Sequence, residues 1–215
     1  MINENKRESG VKLPGNLAMP RDAKGIVLFA HGSGSSRFSP RNQQVAARLV
    51  AAGFGTLLFD LLTEDESFDR RNVFDISLLA SRLVLATRWI QANQKDHILP
   101  LAYFGASTGA AAALWAAAEL GNEISAVISR GGRPDLAISQ LSQVTAPTLL
   151  LVGEYDEPVI EMNQEAAKHL SKAEIVIIPR ATHLFEEPGA LENVADEAVT
   201  WLNQYLKSLT SDMAA

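Results

Sequence analysis

The sequence predicts an α/β protein, a mainly parallel, doubly wound sheet with helices on both faces. Short apolar runs of strand length recur along the 215 residues, and helical stretches lie between them. Strands that alternate with helices pair in parallel through right-handed crossovers. The runs are nearly continuous in apolar character, as strands covered on both faces are.

In chain order, residues 11–19 are a candidate antiparallel edge strand, weakened by Pro14-Gly15, within an N-terminal segment 1–24. Residues 25–30 (GIVLFA) form the first strong strand. Ser39-Pro40 opens a helix, an N-cap followed by proline at the first helical position, which closes near Gly53. Residues 55–60 (GTLLFD) are a strand, and the charged stretch 63–71 reads as a solvated loop. Ile76, Leu79, Ala80, Leu83, Thr87 and Ile90 make one helical stripe. Residues 101–105 are a strand, and 107–120 an alanine-rich helix stopped by Gly121. Strands follow at 126–129, 148–153 and 174–178. A last helix carries Leu191, Val194, Ala195, Ala198, Val199, Leu202, Tyr205 and Leu206 on its sheet-facing side. Trp89, Trp115 and Trp201 fall in helices and read as core. A chain of this size buries about 70% of its unfolded surface, enough for one core, and no linker or repeat divides 1–215.

Lys+Arg 19 against Asp+Glu 25 gives a net charge of −6, dispersed along the chain. No basic stripe offers itself to nucleic acid or an anionic membrane. The absence of cysteine excludes disulfides, thiolate metal sites and a cysteine nucleophile together. The start, MINENKRESG, lacks the apolar stretch of a signal peptide. The small-apolar segment 110–118 is far short of the roughly 20 residues of a membrane span. The expectation is a soluble, cytoplasmic protein of open oligomeric state.

Gly105-Ala106-Ser107-Thr108-Gly109 matches G-x-S-x-G where an apolar strand turns directly into a helix. That junction strains the serine backbone and lifts Oγ above the carboxyl end of the sheet. A serine hydroxyl needs a base to become a nucleophile. Of His31, His97, His169 and His183, only His183 occupies the loop after the final strand, within reach of such a serine. The orienting acid should follow the preceding strand. There Asp156 is the best-placed carboxylate, with Glu154 and Glu157 as neighbours and Asp60 a second choice. The order Ser107, Asp156, His183 is that of a nucleophile–acid–base triad on this kind of sheet. Small residues in His31-Gly32-Ser33-Gly34-Ser35-Ser36 can present backbone N–H groups to an oxyanion. Ser33 N–H and Thr108 N–H are the expected donors, Gly34 is an alternative, and His31 fixes the loop. The loop lacks the third glycine of a dinucleotide fingerprint and the Gly-Lys-Ser/Thr of a P-loop.

These residues together resemble a small α/β-hydrolase, most closely the dienelactone hydrolase-like family, across residues 25–206. The resemblance rests on the His31–Gly34 loop, the Gly105–Gly109 elbow, the Gly153-x-x-Asp156 turn and His183. Members of this branch occur alone or fused to a phosphoribosyltransferase domain. True dienelactone hydrolases use cysteine where this chain has Ser107, so the resemblance implies a serine esterase that needs no metal or organic cofactor. Only residues 131–146 separate two successive strands, so no cap domain is expected. The expected substrate is a small carboxylic ester or lactone. Arg130 and Arg133 are candidates to hold a substrate carboxylate, and Phe68 a candidate to line the acyl pocket. Thioesterase and acyltransferase readings share the machinery, and a non-catalytic ligand-binding protein of the same fold is the alternative from another class.

Overall fold

The computed structural model describes residues 10–94 and 98–206, together with the backbone of residues 2–3; His97 lies outside the described residues. A two-stranded antiparallel ladder of β1 (Ile2–Asn3) and β2 (Lys12–Leu13) precedes the main sheet. The candidate edge strand then appears as β3 (Gly15–Ala18), antiparallel to β5 (Gly55–Phe59). Pro14 has no N–H for a ladder and separates β2 from β3.

The remaining strands are parallel: β4 (Ile26–Ala30), β6 (Leu101–Ala106), β7 (Ile124–Arg130), β8 (Thr148–Gly153) and β9 (Ala173–Ile178). The seven strands of the main sheet run in the order β3-β5-β4-β6-β7-β8-β9. The described residues hold helices α1 (Pro40–Ala51), α2 (Glu64–Ser67), α3 (Arg70–Val73), α4 (Ile76–Asn93), α5 (Thr108–Leu120), α6 (Glu157–Ala167) and α7 (Ala190–Tyr205).

Alternation along β4 and β6 splits the core in two. Ile26, Leu28 and Tyr103 pack with α4 and α5 on one face, while Val27, Phe29 and Phe104 pack with α1 and α7 on the other. The α5 layer is made of small residues, with Ala110–Ala113, Ala116 and Ala117 wholly buried. Tyr103 is buried on that side, and its hydroxyl meets Thr87 Oγ1 at 2.6 Å. Between β4 and β6 the chain changes its direction of winding, which opens a crevice at the carboxyl ends of these strands. The His31–Ser36 loop and Ser107 both lie there.

The structure corrects one element. Residues 63–71 are not a loop throughout: Thr63 and Glu66 form a capping box that starts α2, and Asp69 caps α3. The charged residues that suggested solvation are the N-terminal acids of a helix. Residues 131–147 hold only two 3-10 turns, Pro134–Ala137 and Leu141–Gln143, and no cap domain occurs among the described residues. No described helix is long and apolar enough to cross a membrane.

Candidate active site

Ser107 stands at the N-cap position of α5 with φ 52° and ψ −122°, a region that costs a non-glycine residue about 1–3 kcal/mol. Serine at an N-cap ordinarily stabilises a helix by about 1 kcal/mol through its side chain, yet this one makes no cap bond. The flanking glycines are required by closeness. A Cβ on Gly105 would lie 2.4 Å from Ala110 Cα, and one on Gly109 would lie 2.2 Å from the Ala30 carbonyl oxygen. The Ser107 N–H donates to the Arg130 carbonyl at 3.2 Å, which joins the turn to the end of β7.

Asp156 also occupies an N-cap position, that of α6, and also makes no cap bond. Its Oδ2 accepts instead from His183 Nδ1 at 2.6 Å. The Asp156 side chain is 13% exposed and that of His183 38%, so the acid is covered and the ring reaches open space. The two loops are joined by their backbones: Tyr155 N–H donates to Ala181 O at 2.9 Å, and Glu154 N–H to Ile178 O at 3.0 Å. Arg180 and Phe185 adopt positive φ on either side of the histidine. The neighbouring acids have other places. Glu154 accepts from the Arg180 N–H at 2.6 Å, Glu157 is exposed, and Asp60 forms an ion pair with Arg37.

Ser107, His183, Ser33 and Arg130 line one small cavity of about 210 Å³, together with Arg41 and Asn42. No hydrogen bond joins Ser107 Oγ to His183 among the described residues; such bonds are often long before substrate arrives. His31 fixes the adjoining loop. Its Nε2 accepts from the Leu61 N–H at 3.1 Å, so Nδ1 carries the proton and donates to Gly32 O at 3.0 Å. Burial lowers the pKa of His31 against the opposing pull of Gly32 O and Asp60, which keeps the ring neutral.

The oxyanion and pocket candidates separate. In the free protein Ser33 N–H is not a free donor: it donates to Thr108 Oγ1 at 2.9 Å. Thr108 N–H, by contrast, has no acceptor among the described residues. Gly34, at φ 69° in the turn closed by Ser35 N–H to Gly32 O, does not line the cavity with Ser107. It borders a larger one of about 570 Å³, whose apolar wall includes Pro14, Leu62, Val73 and Leu79. Phe68 lies 79% exposed on a shallow depression beside that cavity.

The two arginines separate as well. Arg133 forks onto Asp135 at 2.9 and 2.8 Å and is no part of the Ser107 cavity. Arg130 is 7% exposed, its Nη1 has no hydrogen-bond partner, and the Phe104 ring lies 5.9 Å from its guanidinium carbon. Burial, and then the nearby Arg41, push its pKa down to about 10, which leaves it charged at neutral pH. Glu186 is taken by Arg41 at 2.8 Å. No group of three or more His, Cys, Asp or Glu side chains positioned to hold a metal occurs among the described residues.

The alpha/beta hydrolase domain family matches residues 23–209. A Mycobacterium tuberculosis (strain H37Rv) protein named as a phosphoribosyl transferase is 55% identical over 197 residues. That match covers 91% of this chain but 44% of the relative, so the chain spans under half the relative's length. A crystal structure described as a dienelactone hydrolase from Anabaena variabilis matches with a TM-score of 0.88 at 59% identity, covering 92% of this chain and 94% of that one. The Est1E structure from Butyrivibrio proteoclasticus with ferulic acid bound shares the fold, at TM-score 0.78 and 18% identity over 92% and 97% of the two chains.

Proposed function

Since the chain belongs to the alpha/beta hydrolase domain family, in its dienelactone hydrolase-like branch, we propose that it hydrolyses small carboxylic esters, lactones among them, through an acyl-enzyme on Ser107. The observation that carries this reading is that Ser107 and Asp156 each stand at a helix N-cap and each leave the cap unmade. Such side chains relinquish about 1 kcal/mol of local stability apiece. One is aimed into the cavity that His183 lines, and the other holds the His183 ring.

In this mechanism His183 Nε2 takes the Ser107 proton as Oγ attacks the carbonyl, then delivers it to the leaving alcohol as the C–O bond breaks. Water repeats the sequence on the acyl-enzyme. Asp156 keeps the proton on Nδ1 and stabilises the imidazolium that forms. Thr108 N–H and Ser33 N–H receive the oxyanion, Ser33 by exchanging Thr108 Oγ1 for the substrate oxygen. None of these steps needs a metal or organic cofactor. The test is the intact mass after fluorophosphonate treatment. One adduct on the wild type and none on Ser107→Ala is expected; an adduct on both variants, or on neither, refutes the assignment.

Arg130 supports a finer reading, in which it holds a carboxylate on the substrate. A buried guanidinium without an acceptor is costly, and a carboxylate in the Ser107 cavity would satisfy it bidentately. Arg130→Met should lower the kcat/KM ratio of a carboxylate-bearing ester to its neutral analogue by about 10-fold or more. Arg133→Gln, which loses only the Asp135 pair, should leave that ratio within about twofold, and equal effects of the two would refute the reading.

One observation favours a second reading. Ser107 and His183 share a cavity without a mutual hydrogen bond, which suits a ligand-binding protein of this fold that performs no turnover. Saturable ligand binding without labelling of Ser107 would establish it. Thioesterase and acyltransferase activities use the same groups, and turnover with added thioesters or alcohol acceptors distinguishes them.

A further inference from the structure

We infer that the Thr108 side chain is a further catalytic group, its hydroxyl donating to the oxyanion beside its own backbone N–H. The inference rests on the acyl-enzyme reading of Ser107 and adds to it a residue whose side chain that reading leaves unused.

Three observations converge on it. Thr108 is 4% exposed, so its hydroxyl is a buried polar group next to the candidate nucleophile. Its Oγ1 accepts the Ser33 N–H at 2.9 Å across 75 residues of sequence, while its own proton has no acceptor among the described residues. Its backbone N–H, the first of α5, is likewise without an acceptor. The free protein thus holds two spare donors on one residue. Beside them lies a third, Ser33 N–H, occupied by the oxygen of that same hydroxyl.

An oxyanion bound by Ser33 N–H and Thr108 N–H has to take up the position next to Ser33 that Oγ1 holds in the free protein. The exchange is balanced in hydrogen bonds. Ser33 N–H passes from the hydroxyl oxygen to the oxyanion, and the released hydroxyl turns from acceptor to donor towards the same oxyanion. No covalent bond changes and no proton leaves the threonine. Before substrate arrives, Oγ1 occupies the oxyanion's place and keeps the His31–Ser36 loop against the Ser107 turn. Packing already brings these segments together, since a Cβ on Gly32 would lie 3.1 Å from Ser107 Cβ. A donor aimed at developing charge acts on the chemical step rather than on substrate affinity.

The test compares Thr108→Val, which keeps the branched shape without the hydroxyl, with Thr108→Ser, which keeps the hydroxyl without the methyl. Thr108→Ala serves if the valine variant fails to fold by thermal unfolding. Loss of one oxyanion donor is expected to lower kcat for a p-nitrophenyl ester by about 10²-fold, with KM within about threefold and most of kcat restored in the serine variant. Binding of a trifluoromethyl ketone, which forms a tetrahedral oxyanion on the serine, should weaken by the same factor. Binding of the product carboxylic acid should change far less. A hydroxyl-free variant with kcat within threefold of wild type overturns the inference, as does a serine variant as impaired as the valine one. So does a loss that appears in KM alone. Failure of the wild type to take one fluorophosphonate adduct overturns the Ser107 reading and this inference with it, whereas normal labelling with an unimpaired valine variant overturns this inference alone.

Discussion

Replacing Asp156 by asparagine removes the charge that faces His183 while keeping the shape of the side chain. The pair is close, at 2.6 Å from Nδ1 to Oδ2, and the acid is 13% exposed. Charge centres about 4 Å apart at an effective dielectric of about 20 interact by about 4 kcal/mol, a stabilisation present only while the imidazole carries the transferred proton. At 1.36 kcal/mol per tenfold, this predicts a loss of about 10³ in kcat. An asparagine that presents its N–H₂ to the ring selects the wrong tautomer and extends the loss towards about 10⁴. The assay is steady-state hydrolysis of a p-nitrophenyl ester, with thermal unfolding as the control for folding. Asp156 does not cap α6, so the substitution should change stability by no more than about 1 kcal/mol. Glu157→Gln, on an exposed side chain, should keep kcat within about twofold, and Glu154→Gln should lose less than about tenfold. An Asp156→Asn enzyme with more than a tenth of wild-type kcat would refute the assignment, as would a comparable loss in either glutamate variant.

Three further outcomes follow from packing and titration. Gly109→Ala places a methyl 2.2 Å from the Ala30 carbonyl oxygen; forced overpacking costs about 3 kcal/mol, so calorimetry should show Tm lower by about 6–12 °C, and an unchanged Tm would contradict the close approach. Tyr103→Phe removes the buried 2.6 Å bond to Thr87, whose hydroxyl retains Leu83 O at 2.9 Å; a loss of about 1 kcal/mol in urea unfolding is expected, and no loss would show the bond to be neutral. Partial burial pushes the Glu66 carboxyl up, but the Thr63 N–H and Arg82 outweigh it and hold it below its ordinary 4.5. Its contribution is therefore present above pH 4.5 and fades as pH falls through the lowered value. Glu66→Gln should destabilise the protein at pH 7 by about 1 kcal/mol or less after solvent screening, and the gap to wild type should narrow as pH falls below 4.5 through the lowered value. A gap that persists or widens on acidification would reverse the sign.

Much of the sheet was legible because its strands are buried on both faces and carry long apolar runs, as residues 148–153 do. The Ser107 turn was legible for a different reason: two glycines are forced there by main-chain atoms within 2.4 Å. The sequence favours Asp156 but sets Glu154 and Glu157 beside it, so the choice among them rests on position alone. Which carboxylate turns towards His183 depends on the backbone bonds that join residues 154–155 to 178–181, and those pair residues more than 20 apart. The bond from Ser33 N–H to Thr108 Oγ1 was hidden for the same reason. The helices at 64–73 could have been found. Thr63-x-x-Glu66 is a capping signature, but its surrounding acids resemble a solvated stretch when hydropathy alone is weighed.

The alanine face of α5 has a consequence for how this protein can change. A core of leucines and isoleucines can exchange volume between neighbours, one side chain shrinking as another grows. At the first turn of α5, where a Cβ on Gly105 or Gly109 would meet the main chain of Ala110 or Ala30 within 2.4 Å, no side chain stands between the segments to give way. Any added bulk must translate the helix as a body, and Ser107, fixed to its first turn, moves with it. In this part of the molecule, tolerance to substitution and the position of the candidate nucleophile are a single variable, so a variant library built across 105–117 should lose fold and activity together rather than one before the other.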